Sequence, residues 1–199
     1  MRLCIYVIML CALCACSANK NVTGGQQGVT DQQKSTASQA QLKVLVADFN
    51  AFKAAPLTTE QSPSEETKVY IKRMGAEISK MVARANKLKK RFEGLLGLGR
   101  QFENLSSIAY ISMLYYHMHD QIAHLQPPSS FDEETQAHFV SAMKERAEPL
   151  LRKSKEASKA FKEVCERVKM TSQCERFIES HKDDLPVQVA AAPVEAPKQ

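Results

Sequence analysis

KVYIKRMGAEISKMVARANKLKKRF, residues 68–92, decides the fold class of this chain. Its apolar residues Ile71, Met74, Ile78, Met81, Val82, Ala85, Leu88 and Phe92 recur at three- and four-residue intervals. That spacing lays them on one face of an α-helix and does not match the two-residue alternation of a strand. The same stretch carries nine basic residues, Lys68, Lys72, Arg73, Lys80, Arg84, Lys87, Lys89, Lys90 and Arg91, with Glu77 as its only acid. On the helical wheel all of these except Lys89 fall in a sector of about 160°, opposite the apolar stripe. The helix should open near Ser64 and Thr67, either of which can cap it, and close at Gly94, Gly97 and Gly99.

The same periodicity continues on both sides, and strand signals are almost missing. A first helix over residues 39–55 places Leu42, Leu45, Val46, Phe49 and Phe52 on one face and stops at Pro56. A third, over 100–125, turns Phe102, Leu105, Ile108, Ala109, Tyr115, Tyr116, Ile122 and Leu125 toward the core, and Pro127 and Pro128 close it. A capping box from Ser130 to Glu133 starts a fourth helix that runs to Met170, with a kink or restart expected at Pro149. A second capping box, Ser172 to Glu175, opens a short fifth helix holding Phe177 and Ile178. The expected fold is all-α, a small stack of antiparallel helical hairpins over residues 39–184. Residues 16–38 are polar and should form a disordered tether, and residues 185–199, rich in Pro and Ala, a disordered tail.

The N-terminus speaks of location. Arg2 precedes an apolar run too short to span a bilayer, which takes about 20 residues, and the run ends in Leu13, Cys14, Ala15 and Cys16. These are the parts of a removable export signal over residues 1–15. The LCAC string resembles the lipobox of bacterial lipoproteins. The resemblance implies that Cys16 is acylated and becomes the mature N-terminus, the alternative being ordinary cleavage near Ala18. Ser17 in the following position, in place of the Asp that retains lipoproteins at the inner membrane of enteric bacteria, implies an outer-membrane address facing the periplasm.

Export also sorts the six cysteines. Cys4, Cys11 and Cys14 leave with the signal and Cys16 takes lipid, so Cys165 and Cys174 remain in an oxidising compartment. They flank the turn near Lys169 and Met170 symmetrically, as partners across a helical hairpin do, and are expected to form a disulfide; two reduced core cysteines are the alternative.

The 27 Lys and Arg residues against 22 acids give a net charge of +5, and loss of Arg2 leaves +4, a mild excess that supplies no ground for a nucleic-acid partner. Catalytic signals are weak. His117, Asp120 and His124 share a helix face, but their spacing matches no zinc signature, His119 and His138 look incidental, and a solvated face is the simpler reading. GLLGLGR at residues 94–100 follows no strand and is read as a helix-to-helix turn, not a phosphate loop. No activated nucleophile or isolated acid pair stands out, so the chain is expected to be neither an enzyme nor a cofactor carrier. The binding candidates are the basic face of Lys72, Arg73, Lys80, Arg84, Lys87, Lys90 and Arg91, and the aromatic third helix around Tyr110, Tyr115 and Tyr116.

FENLSSIAYISMLYYHMHDQIAHL, then QPPSSFDEET, then AEPLLRKSKEASKAF, followed by a short helix ending near Pro186, give residues 95–186 a recognisable order. It resembles the C-terminal tetratricopeptide-like segment of large repeat proteins in deltaproteobacterial envelopes, including gliding-motility and trafficking components of myxobacteria. The chain has no Trp and no 34-residue self-similarity, so a hairpin stack fits better than a repeat array. The resemblance implies a binding scaffold in an envelope complex. The resulting expectation is a non-catalytic lipoprotein that serves as adaptor or assembly factor for an envelope protein; the alternative is a module that holds anionic lipid or polymer through the basic helix at 68–91.

Overall fold

The computed structural model describes residues 31–186 apart from 58, 59, 63 and 99. The stretches expected to be signal peptide and tether, as far as residue 30 and with Cys16 among them, and the expected tail from residue 187 lie outside the described residues. The chain is helical: α1 (Asp31–Lys53), α2 (Thr67–Leu95), α3 (Gln101–Ala123), α4 (Glu133–Arg167) and α5 (Thr171–Ser180) are followed by a 3-10 turn, Lys182–Asp184. Among the described residues there is no strand. None of these helices is long and apolar enough to cross a membrane.

The helix α3 is the axis around which the others pack. The sequence pattern gives it one apolar face, yet it is buried nearly all round, by Leu105, Ala109, Tyr110, Ile111, Met113, Leu114, Met118 and Ile122 together with Ser106, Ser107 and Ser112. Small hydroxyl side chains make this possible, because they let a neighbouring helix come close, and those of Ser107 and Ser112 still satisfy their own polar atoms. Ser112 Oγ donates to the carbonyl of Ser154 at 2.9 Å and lies 2.5 Å from Ser158 Oγ; Ser154 Oγ donates back to the carbonyl of Ser112 at 2.9 Å. These bonds, with Lys153 over the Tyr115 ring, pair α3 and α4 in antiparallel fashion. Their partner α4 buries a single stripe, Met143, Ala147, Ser154, Ser158, Phe161 and Cys165, at helical spacing.

Tyr110 is the meeting point of four helices. Its ring stacks on Phe92 of α2 at 5.4 Å and meets the edges of Phe49 of α1 at 5.2 Å and Phe177 of α5 at 5.8 Å. Aromatic pairs at these separations add roughly 0.5–1.5 kcal/mol each beyond the area they bury. Tyr110 is therefore part of the core, only 5% exposed, and not an open surface residue as the sequence suggests; Tyr115 and Tyr116 are half-buried.

Helix boundaries depart from expectation where polar side chains choose other partners. The first helix begins at Asp31, inside the stretch assigned to the tether. Thr67 and Ser130 cap nothing. Their hydroxyls bond each other at 2.6 Å, joining the start of α2 to the loop before α4, while Glu66 and Asp132 occupy the N-cap positions. Asp132 accepts from the Thr135 N–H at 2.8 Å, the carboxylate performing the role expected of Ser130, and this backbone donor holds its pKa below the usual carboxylate value. Ser172 likewise lies within α5, whose N-cap is Met170. The helix α4 runs through Pro149 without a restart; Pro149 and Glu145, whose carbonyl the proline cannot bond, are both exposed, so water can serve it.

The turn from α4 to α5 is a Schellman motif. Met170 N–H bonds the Cys165 carbonyl at 3.0 Å, Lys169 N–H bonds the Glu166 carbonyl at 3.1 Å, and Lys169 takes the left-handed conformation with φ 56°. The reversal brings Cys174 opposite Cys165, with Cα atoms 6.3 Å apart and the sulfurs bonded. Both cysteines are buried. Beyond α5 the chain does not leave the body at residue 185. The 3-10 turn folds back along α3, Asp184 pairs with Lys53 of α1, and Leu185 and Pro186, both inside the stretch assigned to the tail, are each buried.

Candidate functional site

The basic face of α2 divides into two sets. Arg73 grips the preceding loop, with Nε and Nη2 on the two carboxylate oxygens of Glu65 at 2.9 and 2.8 Å and Nη2 also on the Glu60 carbonyl. This bidentate contact holds the Glu65 pKa below its ordinary value. Arg91 reaches Asp48 of α1, Arg84 lies over the Phe52 ring at 5.4 Å, and Lys80 pairs with Glu77. Arg73, Arg84 and Arg91 thus bind the protein to itself, Arg73 through the preceding loop and the other two through α1, which packs against the edge of the sector that the wheel leaves open to solvent. Lys68, Lys72, Lys87 and Lys90 remain exposed and form no ion pair among the described residues. They form a narrower stripe, spanning about 33 Å at 1.5 Å per residue.

A second surface was not evident in the sequence. The helices α1, α3 and α5 leave an open groove of about 400 Å3 between them. Leu42 and Val46 of α1, Phe102 and Tyr110 of α3 and Phe177 of α5 give it apolar walls. Leu42 and Val46 belong to the stripe read as core, but Leu45, Phe49 and Phe52 fill the core and leave those two half-buried at the groove. Phe102, expected inside, is 44% exposed at the rim. Glu103 and Ser106 lie one helical turn apart in the same lining. The groove falls within the usual size range of ligand sites, roughly 300–1,000 Å3.

Of the histidines, His117 alone lines a smaller polar cleft of about 180 Å3, with Tyr116, Asp120, Asp183 and Asp184. His117 meets the edge of Phe52 at 5.4 Å, while His124 turns away and pairs with Asp120 at the surface. His119 stacks on Tyr116 at 6.2 Å, and its Nδ1 is buried with no partner among the described residues. His138 stands exposed near Glu134. Among the described residues no three His, Cys, Asp or Glu side chains are arranged to hold a metal ion.

Burial, and secondarily the charge of Lys53, pushes the His117 pKa below its ordinary value; burial does the same at His119, against the opposing charges of Glu148 and Asp120. A base whose folded pKa is lowered binds its proton more readily in the unfolded chain. The stability from these two rings is therefore whole above their ordinary pKa of about 6.5 and is lost as pH falls below it toward the folded values. Thermal unfolding followed from pH 7.5 to pH 5 should show a falling melting temperature, and a His117→Phe, His119→Phe double variant a shallower fall. Equal slopes for the two proteins would contradict this assignment.

No protein family, curated protein or solved structure matches the chain, so its function must be argued from these surfaces.

Proposed function

We propose that this chain is a non-catalytic lipoprotein of the bacterial envelope, held by lipid on Cys16 at the periplasmic side of the outer membrane, and that it acts as an adaptor or assembly factor. Its helical hairpins serve as a tetratricopeptide-like scaffold, and the protein partner docks in the groove between α1, α3 and α5. The groove is the observation that carries this reading. It combines four apolar or aromatic side chains, Leu42, Val46, Tyr110 and Phe177, with an exposed Phe102, the kind of aromatic anchor that dominates binding when a partner buries it. The exposed lysines of α2 favour a second reading, contact with anionic lipid or polymer, since a row of unpaired cations on one helix face is suited to a charged surface.

Site-specific photocrosslinking in intact cells separates the two. A photoreactive residue in place of Phe102 should join the chain to an envelope protein, while one in place of Lys87 should not. Charge reversal at Lys72, Lys87 and Lys90 should leave the Phe102 adduct intact and the chain in the membrane fraction, whereas Cys16→Ser should release it. An adduct formed only from position 87, or lost on charge reversal, would overturn the groove reading in favour of the surface-binding one. A Cys16→Ser chain that stays membrane-bound would remove the lipid anchor.

A further inference from the structure

The floor of the groove carries a polar group that the protein itself does not use. Glu103 is 3% exposed and Ser106 2%, and Glu103 Oε2 and Ser106 Oγ are buried with no hydrogen-bond partner among the described residues. Burying a carboxylate in apolar surroundings without a counter-charge is costly, as is a lone hydroxyl, so the arrangement works against the stability of the free chain. Glu103 stands in the first turn of α3, where a glutamate can reach back to the N-cap N–H and form half of a capping box. Its Oε2 makes no such bond. The nearest cation of the lining, Lys43, is exposed at the rim and does not pair with it. A buried acid, a hydroxyl one turn away and apolar walls around them form a site complementary to a positive charge on an apolar stem.

We propose that Glu103 and Ser106 receive the ammonium or guanidinium group of a Lys or Arg side chain projecting from an apolar segment of the protein partner. This deepens the groove reading and rests on it. The incoming stem lies between Leu42, Val46, Phe102 and Phe177, and a change of rotamer at Glu103 carries its carboxylate toward the cation. The pair forms away from water, where a charged hydrogen bond is strong, and the partner supplies the charge that the free protein lacks. A neutral side chain of equal length would fill the same space and leave Glu103 unpaired. The groove therefore selects for charge within an otherwise greasy contact.

Because the chain contains no Trp, a Trp-bearing peptide reports its own binding by fluorescence. The test uses the full chain with its disulfide intact and two probes, acetyl-Trp-Leu-Lys-Leu-Leu-amide and the same peptide with norleucine for lysine. The lysine peptide should bind at least about tenfold more tightly, the factor that roughly 1.4 kcal/mol of charged hydrogen bonding provides. Glu103→Gln should abolish that preference while melting no lower than the original protein, because Oε2 has no hydrogen bond to lose. Equal binding of both peptides to the original protein, or a preference that survives in Glu103→Gln, would overturn the charge selection and leave the groove as an apolar docking site. Binding of neither peptide to natively melting protein would overturn the charge selection and the groove reading together. The comparison of the two peptides on the original protein stands whether or not the variant folds.

Discussion

Phe92→Ala should destabilise the protein by about 3–5 kcal/mol, the range for truncating a fully enclosed aromatic, and lower its melting temperature by on the order of 10 °C for a domain of this size. Phe92 is completely buried, and its ring is stacked on Tyr110 at an interplanar angle of 7°. Its removal empties one side of the ring that joins α1, α2, α3 and α5, so the loss includes both the transferred surface and the cavity left between helices. Phe102→Ala is the matched control. It deletes the same atoms from a side chain 44% exposed at the groove rim, and should shift stability by less than about 0.5 kcal/mol. Thermal unfolding of the two variants side by side checks the contrast, and equal losses would mean that the Tyr110 cluster is not where the helices are held together.

Replacing both Cys165 and Cys174 by Ser should cost about 2–3 kcal/mol, since the bridge closes a short loop in the unfolded chain. The double variant avoids leaving one thiol free to pair elsewhere. Its effect should concentrate in α5 and the following 3-10 turn, because only the Schellman turn, the rings of Phe177 and His181 against Tyr110, the Lys53–Asp184 pair and buried Leu185 and Pro186 remain among the contacts described above to hold that segment. Hydrogen exchange should show faster exchange at residues 171–186 than in α3. A melting temperature equal to that of the oxidised protein would mean that the turn is already fully ordered by its backbone bonds.

Much of this architecture was legible in the spacing of apolar residues, which fixes five helices and most of their boundaries. The pairing of Cys165 with Cys174 was equally visible, because helical hairpins oppose residues equidistant from the turn. The environment of α3 was harder to read. Its run of Ser106, Ser107, Ser112 and small or aromatic residues has almost no amphipathic pattern, and only its enclosure by four other helices buries it nearly all round. Polar contacts over long sequence distances were also hidden. Nothing local tells Thr67 to bond Ser130, or Arg91 to reach Asp48, so caps and a free basic face were inferred where tertiary partners exist. The groove left only one trace, an acid in the apolar-rich opening of α3, and an acid near a helix start has an ordinary explanation in the helix dipole.

The left-handed residue at the turn before α5 gives the molecule a sense of timing. Phe177, one wall of the groove, sits on a ten-residue helix that meets the rest of the protein through the Schellman turn, one aromatic cluster and the sulfur bond. A helix this short has little stability of its own, and thiols are kept reduced in the cytosol. A newly made chain would thus carry two walls of the groove and a loosely hinged third until it met an oxidant. On the proposed route through the envelope, the proposed docking surface would be finished only on arrival, after transit is over.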